Sequence, residues 1–308
     1  MLIILGLFGL WFGSDIVVSG AQRIARRLKV SEVVIGLTVV SIGTSIPEIS
    51  TNLAAGYNKM MGIDASGIAV GNIIGSCLSQ ITLVIGIVGF FATMYLKKRS
   101  LIRDGFMMMF ALFVMLLASS DLIITQLEGF VLVSIYVIYI IYLIDKEKLF
   151  VQSKKVEGKK GAIVDVVKIL LGAGIVVFAA DLVVKNGVGI AQTIGIREAL
   201  IGILVGLGTS LPELSVSLKG VFQGSGGISI GNLIGSNITD PLFSLGLGSL
   251  LAGFTVSSST LFLEFPFWII GTAMALLLLH NHTNLNRNES LVLIIFYVFF
   301  LYFQFFIF

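Results

Sequence analysis

Apolar stretches recur from one end of the chain to the other, each roughly twenty residues long and so able to cross a bilayer as a helix. Of the 308 residues, 56% are apolar and only 12% are charged. A soluble protein carries about 25% charged residues. The sequence therefore predicts an all-α polytopic membrane protein and leaves no stretch for a soluble domain.

Hydropathy divides the chain into ten predicted spans, and a charged segment separates them into two sets of five. We expect a first five-helix unit at 1–145, a linker at 146–161 and a second five-helix unit at 162–308. The predicted spans are 2–28, 33–57, 66–93, 101–119, 122–144, 162–192, 198–222, 227–254, 260–280 and 290–307.

Lysine and arginine concentrate in alternate loops, above all in the linker at 146–161. Loops rich in these residues stay in the cytoplasm. The pattern predicts a multi-pass protein of the cell membrane, with both termini outside and the linker in the cytoplasm. The basic linker is expected to lie against anionic lipid headgroups.

Two short polar motifs, which we call words, occur once in each half of the chain and in the same order. GTSIPE at 43–48 matches GTSLPE at 208–213, and GNIIGS at 71–76 matches GNLIGS at 231–236. Matching words at nearly constant spacing indicate an internal repeat. Because each half has an odd number of spans, the second copy enters the membrane from the opposite side. We therefore expect inverted repeats, an architecture of secondary transporters that bind substrate between broken helices.

Each GTSxPE word places a proline inside an apolar span. Pro47 lacks an N–H and crowds the carbonyl of Gly43, and Pro212 does the same to Gly208, so both helices should break there. In a bilayer the freed backbone groups must find partners or line a polar cavity.

Polar side chains follow these words at helical spacing. Ser41, Thr44 and Glu48 share one face of a helix, and the same holds for Asn232, Ser236 and Asp240. Three carboxylates, Glu48, Glu213 and Asp240, are thereby predicted to meet near the middle of the membrane. An ionised acid there costs about 3 kcal/mol or more.

Basic residues that could neutralise these acids are scarce in the neighbouring spans, where Lys219 is the single example from 199 to 286. We infer that bound cations supply the charge. Oxygen ligands without histidine or cysteine suit Ca²⁺, and Na⁺ can use the same oxygens. Mg²⁺ is disfavoured because it holds its water, and zinc or copper would require imidazole or thiolate.

At these words the sequence resembles the sodium/calcium exchangers of the cation/calcium exchanger (CaCA) superfamily, of the prokaryotic or archaeal type without a large regulatory loop. The resemblance implies alternating access, in which Na⁺ entry drives Ca²⁺ extrusion. It also implies backbone ligands near Ser41 and Gly206. Gln80, a further candidate ligand, departs from the asparagine that archaeal exchangers commonly carry there, so its amide reaches one carbon further. The side chains it assigns to ion ligation are Thr44, Ser45, Glu48, Ser76, Thr209, Ser210, Glu213, Ser236 and Asp240.

Several alternatives stay open at this point. Asp240 keeps K⁺-dependent exchange possible, while the lack of a glutamate in the Gly-Asn words disfavours H⁺ exchange. A passive cation channel is a different class of answer. An enzyme is not expected, because the spans show no nucleophile with a base and Cys77 is the single cysteine. The expected partners are Ca²⁺, Na⁺ and lipid, with no cofactor, no nucleic acid and a functional monomer.

The first and sixth spans are long and end in small or basic residues. We expect them to slide across the site as a gate while the other spans stay relatively fixed. Asp15 and Asp181 lie within these two spans. A structural role, pairing with a neighbouring helix or polar side chain, is expected for both.

Overall fold

The computed structural model describes residues 2–91, 98–151, 159–193, 207–282 and 285–306, and most of them are helical. The apolar stretches become long helices because only a helix satisfies every backbone hydrogen bond within one segment in lipid. In chain order the helices are α1 Leu2–Leu28, α2 Glu32–Thr44, α3 Ile46–Met60, α4 Ser66–Phe91, α5 Lys98–Ala118, α6 Gln126–Val151, α7 Lys159–Thr193, α8 Leu211–Phe222, α9 Gly226–Thr239, α10 Leu245–Ala252, α11 Phe265–His282 and α12 Arg287–Phe306.

Length and hydropathy single out the helices able to cross a membrane. Within the described residues seven helices qualify, and the bent pair α2 and α3 makes an eighth. The predicted span 198–222 lies partly outside the described residues. The predicted span 227–254 corresponds to α9 and α10. The multi-helix membrane architecture is thus confirmed, while ten spans remain a prediction.

Two features depart from the predicted helical layout. The loops after α5 and α10 each contribute a two-residue strand, β1 (Ile123–Ile124) and β2 (Phe254–Thr255), which pair antiparallel. Helices α6 and α7 also continue into the predicted linker, as far as Val151 and from Lys159, so the described parts of the linker are helical.

The two halves share an unusual local geometry after the GNxxGS words. Fourteen α-helical residues, Ser66–Ser79, run into a π-helical turn at Gln80–Val84. In the second half fourteen residues of α9 run into a π-helical turn at Asp240–Ser244. The same wide turn at the same place in both copies supports the predicted internal repeat.

Helix α2 of the first half packs directly on α9 of the second half. A methyl group at Gly36 would lie 2.7 Å from the carbonyl oxygen of Ile228, and one at Gly235 would lie 2.8 Å from the Cα of Leu37. Glycines let the two backbones touch at these points. The contact brings the polar words of the two halves together.

Helices α1 and α7 form a second close pair. A methyl group at Gly172 would lie 3.1 Å from the carbonyl oxygen of Gly13. At one end of the pair, Asp165 Oδ1 accepts from Arg23 Nε at 2.9 Å, and its Oδ2 forms an ion pair with Arg27, whose Nε lies 2.8 Å away. Glycine contacts along the pair and a carboxylate held by two guanidinium groups join α1 to α7 firmly.

Candidate ion-binding site

Both GTSxPE words interrupt a helix, as the sequence predicts. The break falls at a serine, Ser45 (φ −79°, ψ 8°) and Ser210 (φ −89°, ψ 1°), whose backbone angles are nearly the same. Across Ser45, α2 and α3 are bent by 49°. Pro47 and Pro212 fall in the first turn of the following helix, where a missing N–H needs no partner. The proline therefore starts a new helix instead of kinking the old one.

The break also places an acid at each new helix start. Glu48 lies in the first turn of α3 and Glu213 in the first turn of α8. The N-terminus of a helix carries partial positive charge and unpaired N–H groups, so it favours a carboxylate. This arrangement offsets part of the cost of burying each acid.

The three predicted carboxylates are completely enclosed. Glu48, Glu213 and Asp240 are all 0% exposed. One oxygen of each, Oε2 of both glutamates and Oδ1 of Asp240, has no hydrogen-bond donor in the described structure. Glu213 and Asp240 also repel a charge on Glu48. Buried acceptors without donors are costly, so this cluster calls for a positive partner.

The protein's own cations are directed elsewhere. Lys219 forms an ion pair with Asp15 at 3.0 Å, and its Nζ lies 3.6 Å from the centre of the Trp11 ring. Across the described part of the chain, no ion pair involves any of the three buried carboxylates. Asp15 is thus bound to α8, and Asp181 pairs with Lys185 in its own helix at 2.9 Å.

Serine hydroxyl groups connect Glu48 to α4 and Glu213 to α9. Ser76 donates to Glu48 Oε1 at 3.2 Å, and Ser236 at the matching position donates to Glu213 Oε1 at 3.5 Å. Each glutamate therefore has one oxygen held by a serine and the other free.

Further hydroxyl contacts cross between the halves. The Oγ atoms of Ser45 and Ser236 are 3.3 Å apart, and the hydroxyls of Ser76 and Thr209 are 3.2 Å apart. Ser210 contacts Ser79 at 2.8 Å. The structure thus brings the predicted hydroxyl residues of both halves into one network.

Thr44 and Ser41 complete the first half of this network. The Thr44 hydroxyl donates to Asn232 Oδ1 at 3.0 Å and contacts the Ser41 carbonyl oxygen at 3.3 Å. That carbonyl also accepts from the Ser45 N–H at 2.9 Å, so it already has partners in this conformation. Gly206, the expected counterpart of Ser41, lies outside the described residues.

Gln80 meets Asp240 across the interface of the two halves. Its Nε2 donates to Asp240 Oδ2 at 3.4 Å, and both residues are fully buried. The amide therefore presents its donor end to the acid.

The predicted ligand set leaves out several polar side chains at the site, among them Asn52, Ser79, Asn232 and Asn237. Asn52 donates from Nδ2 to the Glu48 carbonyl oxygen at 2.9 Å and to Ser244 at 3.0 Å. Its position four residues after Glu48, on the same helix face, is a signal that could have found it.

The donor set is one of oxygen atoms with a few amide nitrogens. No group of three or more His, Cys, Asp or Glu side chains within the described ranges is arranged to hold a metal by itself. A cation at this site would need hydroxyl, amide or backbone oxygens besides the carboxylates. Such mixed oxygen shells suit Ca²⁺ and Na⁺.

Three features are typical of membrane proteins that carry cations: broken helices, an oxygen-lined interior and buried acids that have no counterion among the described residues. The sequence model of the sodium/calcium exchanger protein family matches residues 1–144 and 165–306. The chain belongs to this family, which confirms the resemblance found in the sequence.

Relatives and solved structures agree with this assignment. The chain is 32% identical to sodium/calcium exchanger MaX1 of Methanosarcina acetivorans, over 100% of this chain and 98% of that protein. It is 36% identical to an uncharacterized membrane protein of Methanocaldococcus jannaschii, over 80% of each chain. A structure of the sodium-calcium exchanger NCX_Mj soaked without Na⁺ and Ca²⁺ matches with a TM-score of 0.80 and 31% identity, covering 97% of this chain and 96% of the other.

Proposed function

We propose that this protein is a secondary active antiporter that exchanges Na⁺ for Ca²⁺, with Ca²⁺ extrusion driven by the Na⁺ gradient. The observation that carries the proposal is the cluster of three fully buried carboxylates, each with an oxygen that lacks a donor in the described structure. Family membership and the likeness to NCX_Mj support the same conclusion.

The two ions compete for shared oxygens. Glu48 and Glu213 together neutralise one Ca²⁺, and several Na⁺ spread over the same groups neutralise them equally well. Occupation by one ion then excludes the other, which couples the two fluxes. The proposed ligands are Glu48, Glu213, Asp240, Thr44, Ser45, Thr209, Ser210, Ser76 and Ser236, with backbone oxygens of Ser41 and Gly206. Gln80, also predicted as a ligand, presents its N–H₂ group to Asp240 in this conformation and would have to turn its amide to coordinate a cation.

The proposed architecture has ten spans in two inverted repeats, 1–145 and 162–308, joined by a cytoplasmic linker with both termini outside. The matching helix breaks and π-helical turns of the two halves support the repeat. The protein is proposed to work as a monomer in the lipid bilayer, without a cofactor and without enzymatic activity.

Helices α1 and α7 act as the moving gate. Two observations support this proposal. Asp165 links α1 to α7, and α1 meets α8 along a seam of polar side chains. In that seam the Ser14 and Ser215 hydroxyls lie 2.7 Å apart, and Gln223 donates to Asp15 at 2.8 Å. Polar contacts of this kind can be exchanged for others as α1 slides.

The test is Ca²⁺ uptake into vesicles that contain the purified protein, under Na⁺, K⁺ or H⁺ gradients imposed one at a time. Uptake driven by an outward Na⁺ gradient alone is expected. Uptake that requires K⁺ or follows the H⁺ gradient would replace the proposed reaction with one of its alternatives. Ca²⁺ entry without any opposing ion would identify a channel.

A further inference from the structure

A chain of hydrogen bonds holds the Gln80 amide, and the backbone carbonyl at one end of this chain fixes which group donates at each step. A backbone carbonyl can only accept, and the Leu233 carbonyl oxygen lies 3.1 Å from Asn237 Nδ2. The same Nδ2 donates to Gln80 Oε1 at 3.0 Å. Gln80 must then turn its own Nε2 to Asp240 Oδ2, at 3.4 Å.

Reversing the Gln80 amide would be doubly unfavourable. Its oxygen would face the Asp240 carboxylate, and its NH₂ group would face the NH₂ group of Asn237. All three side chains are 0% exposed, so water cannot relieve either clash. Asn237 therefore locks one of the two orientations of the amide.

Among the described residues, this lock is present in the second half of the repeat and has no counterpart in the first. At the spacing that matches GNIIGS with GNLIGS, Asn237 corresponds to Cys77, and Asp240 corresponds to Gln80. Cys77 is buried but carries no amide. The contact between Gln80 and the acid is thus supported from the second half alone.

We infer that Asn237 is a positioning residue for cation binding beside Asp240, acting through Gln80. With the amide locked, Gln80 offers a cation the positive end of its dipole, and Asp240 Oδ2 is already engaged. A cation at this place finds one free Asp240 oxygen, Oδ1, and none from Gln80. Asn237 thereby weakens the affinity for a monovalent ion here. This inference rests on the proposed function.

The test measures Na⁺ binding to the purified, intact protein by isothermal titration calorimetry in the absence of Ca²⁺. Asn237→Leu removes the donor while keeping the branched shape of the side chain, and frees the Gln80 oxygen to turn toward the ion. The Na⁺ dissociation constant is expected to fall roughly fivefold, the scale of one buried hydrogen bond. Cys77→Ala, at the matching position, is the control and should change it less than about twofold.

A double-mutant cycle separates positioning from direct ligation or a general structural effect. In a Gln80→Met background, Asn237→Leu is expected to have no further effect on Na⁺ binding. The same shift in both backgrounds, or no shift in either, would overturn the inference. If Asn237→Leu does not purify as a monodisperse protein, Asn237→Ala removes the same donor without added bulk and is judged in the same way.

Failure of the proposed function gives a different result. In that case the unmodified protein would not bind Na⁺ at all, and the inference would fall with it. Binding by the unmodified protein with no response to Asn237→Leu contradicts the inference alone.

Discussion

At the scale of single residues, Glu48 and Glu213 are distinguished from other membrane acids by their free oxygens. Both are fully buried, each takes one serine hydroxyl, and neither pairs with a cation within the described structure. Glu264, in the π-helical turn that precedes α11, is different because it is only partly buried, and Gln304 donates to its Oε1 at 3.3 Å. The comparison separates fully enclosed acids from an acid whose charge is only partly enclosed.

Glu48→Gln and Glu213→Gln are each expected to lower Na⁺-driven Ca²⁺ flux by at least about thirtyfold. Removing one charge from a buried ion pair costs roughly 2–5 kcal/mol or more, and the amide also brings an N–H₂ group toward the cation. Flux is measured as Ca²⁺ uptake into vesicles. Asp240→Asn should be less severe, and Glu264→Gln is the matched control that should leave flux unchanged. Full flux in either glutamate variant would contradict the proposed ligand set.

Much of the site could be predicted from residues that recur in both halves. The matched pairs Ser76 with Ser236 and Glu48 with Glu213 stand out because one word repeats the other. Asn237 could not be found in this way, since its counterpart is Cys77 and carries no amide. Its role depends on facing Gln80 across 157 positions of sequence, which only the packing of α4 against α9 reveals.

At the scale of helices, proline chemistry predicted that each GTSxPE word would break its helix, but it did not predict the residue at which the break falls. The chain restarts its helix one residue before the proline, at Ile46 and Leu211, because proline is well accommodated in a first turn. The π-helical turns at Gln80–Val84 and Asp240–Ser244 have no comparable sequence signal. They widen the two helices at Gln80 and Asp240, residues through which the first half contacts the second.

Gly36→Ala should lower the free energy of unfolding by about 1–3 kcal/mol, the usual cost of forcing extra volume into a packed interior. The new methyl group would meet backbone atoms of α9, the Ile228 carbonyl oxygen at 2.7 Å and the Asn232 nitrogen at 2.9 Å, which cannot rotate away. The measurement is the thermal unfolding midpoint in detergent.

Gly174→Ala on α7 is the control for this change. A methyl group there has nothing within 4 Å among the described atoms, and alanine favours a helix over glycine by about 1 kcal/mol. Its midpoint should stay the same or rise. Equal loss of stability in both variants would show that α2 and α9 do not depend on this close approach.

At the scale of the whole molecule, the contacts of α1 fall into two kinds. Helices α1 and α7 are joined by glycine packing and by Asp165, whereas α1 meets α8 through hydroxyl and ion-pair contacts as well as through an apolar cluster that includes Val216. The polar words of both halves lie in the remaining helices. A sliding gate over a relatively fixed site is the motion this division supports.

Joining Ser14 and Ser215 by a disulfide should stop transport. The two hydroxyls are 2.7 Å apart, so Ser14→Cys with Ser215→Cys, made in a Cys77→Ala background, would place two sulfurs within bonding reach. Oxidation is expected to abolish vesicle uptake and a reductant to restore it. Each single cysteine variant serves as the matched control. Undiminished uptake in the oxidised, cross-linked protein would rule out movement of α1 along α8.

The three buried acids, which have no counterion among the described residues, also bear on what an unloaded protein can do. With no ion bound, any ionised acid in the site is uncompensated in a medium that penalises charge. We therefore expect the empty site to cross between the two sides of the membrane less readily than a loaded one, so that release of one ion is followed by binding of another before the site returns. Such a preference would let the proposed exchange waste little of either gradient.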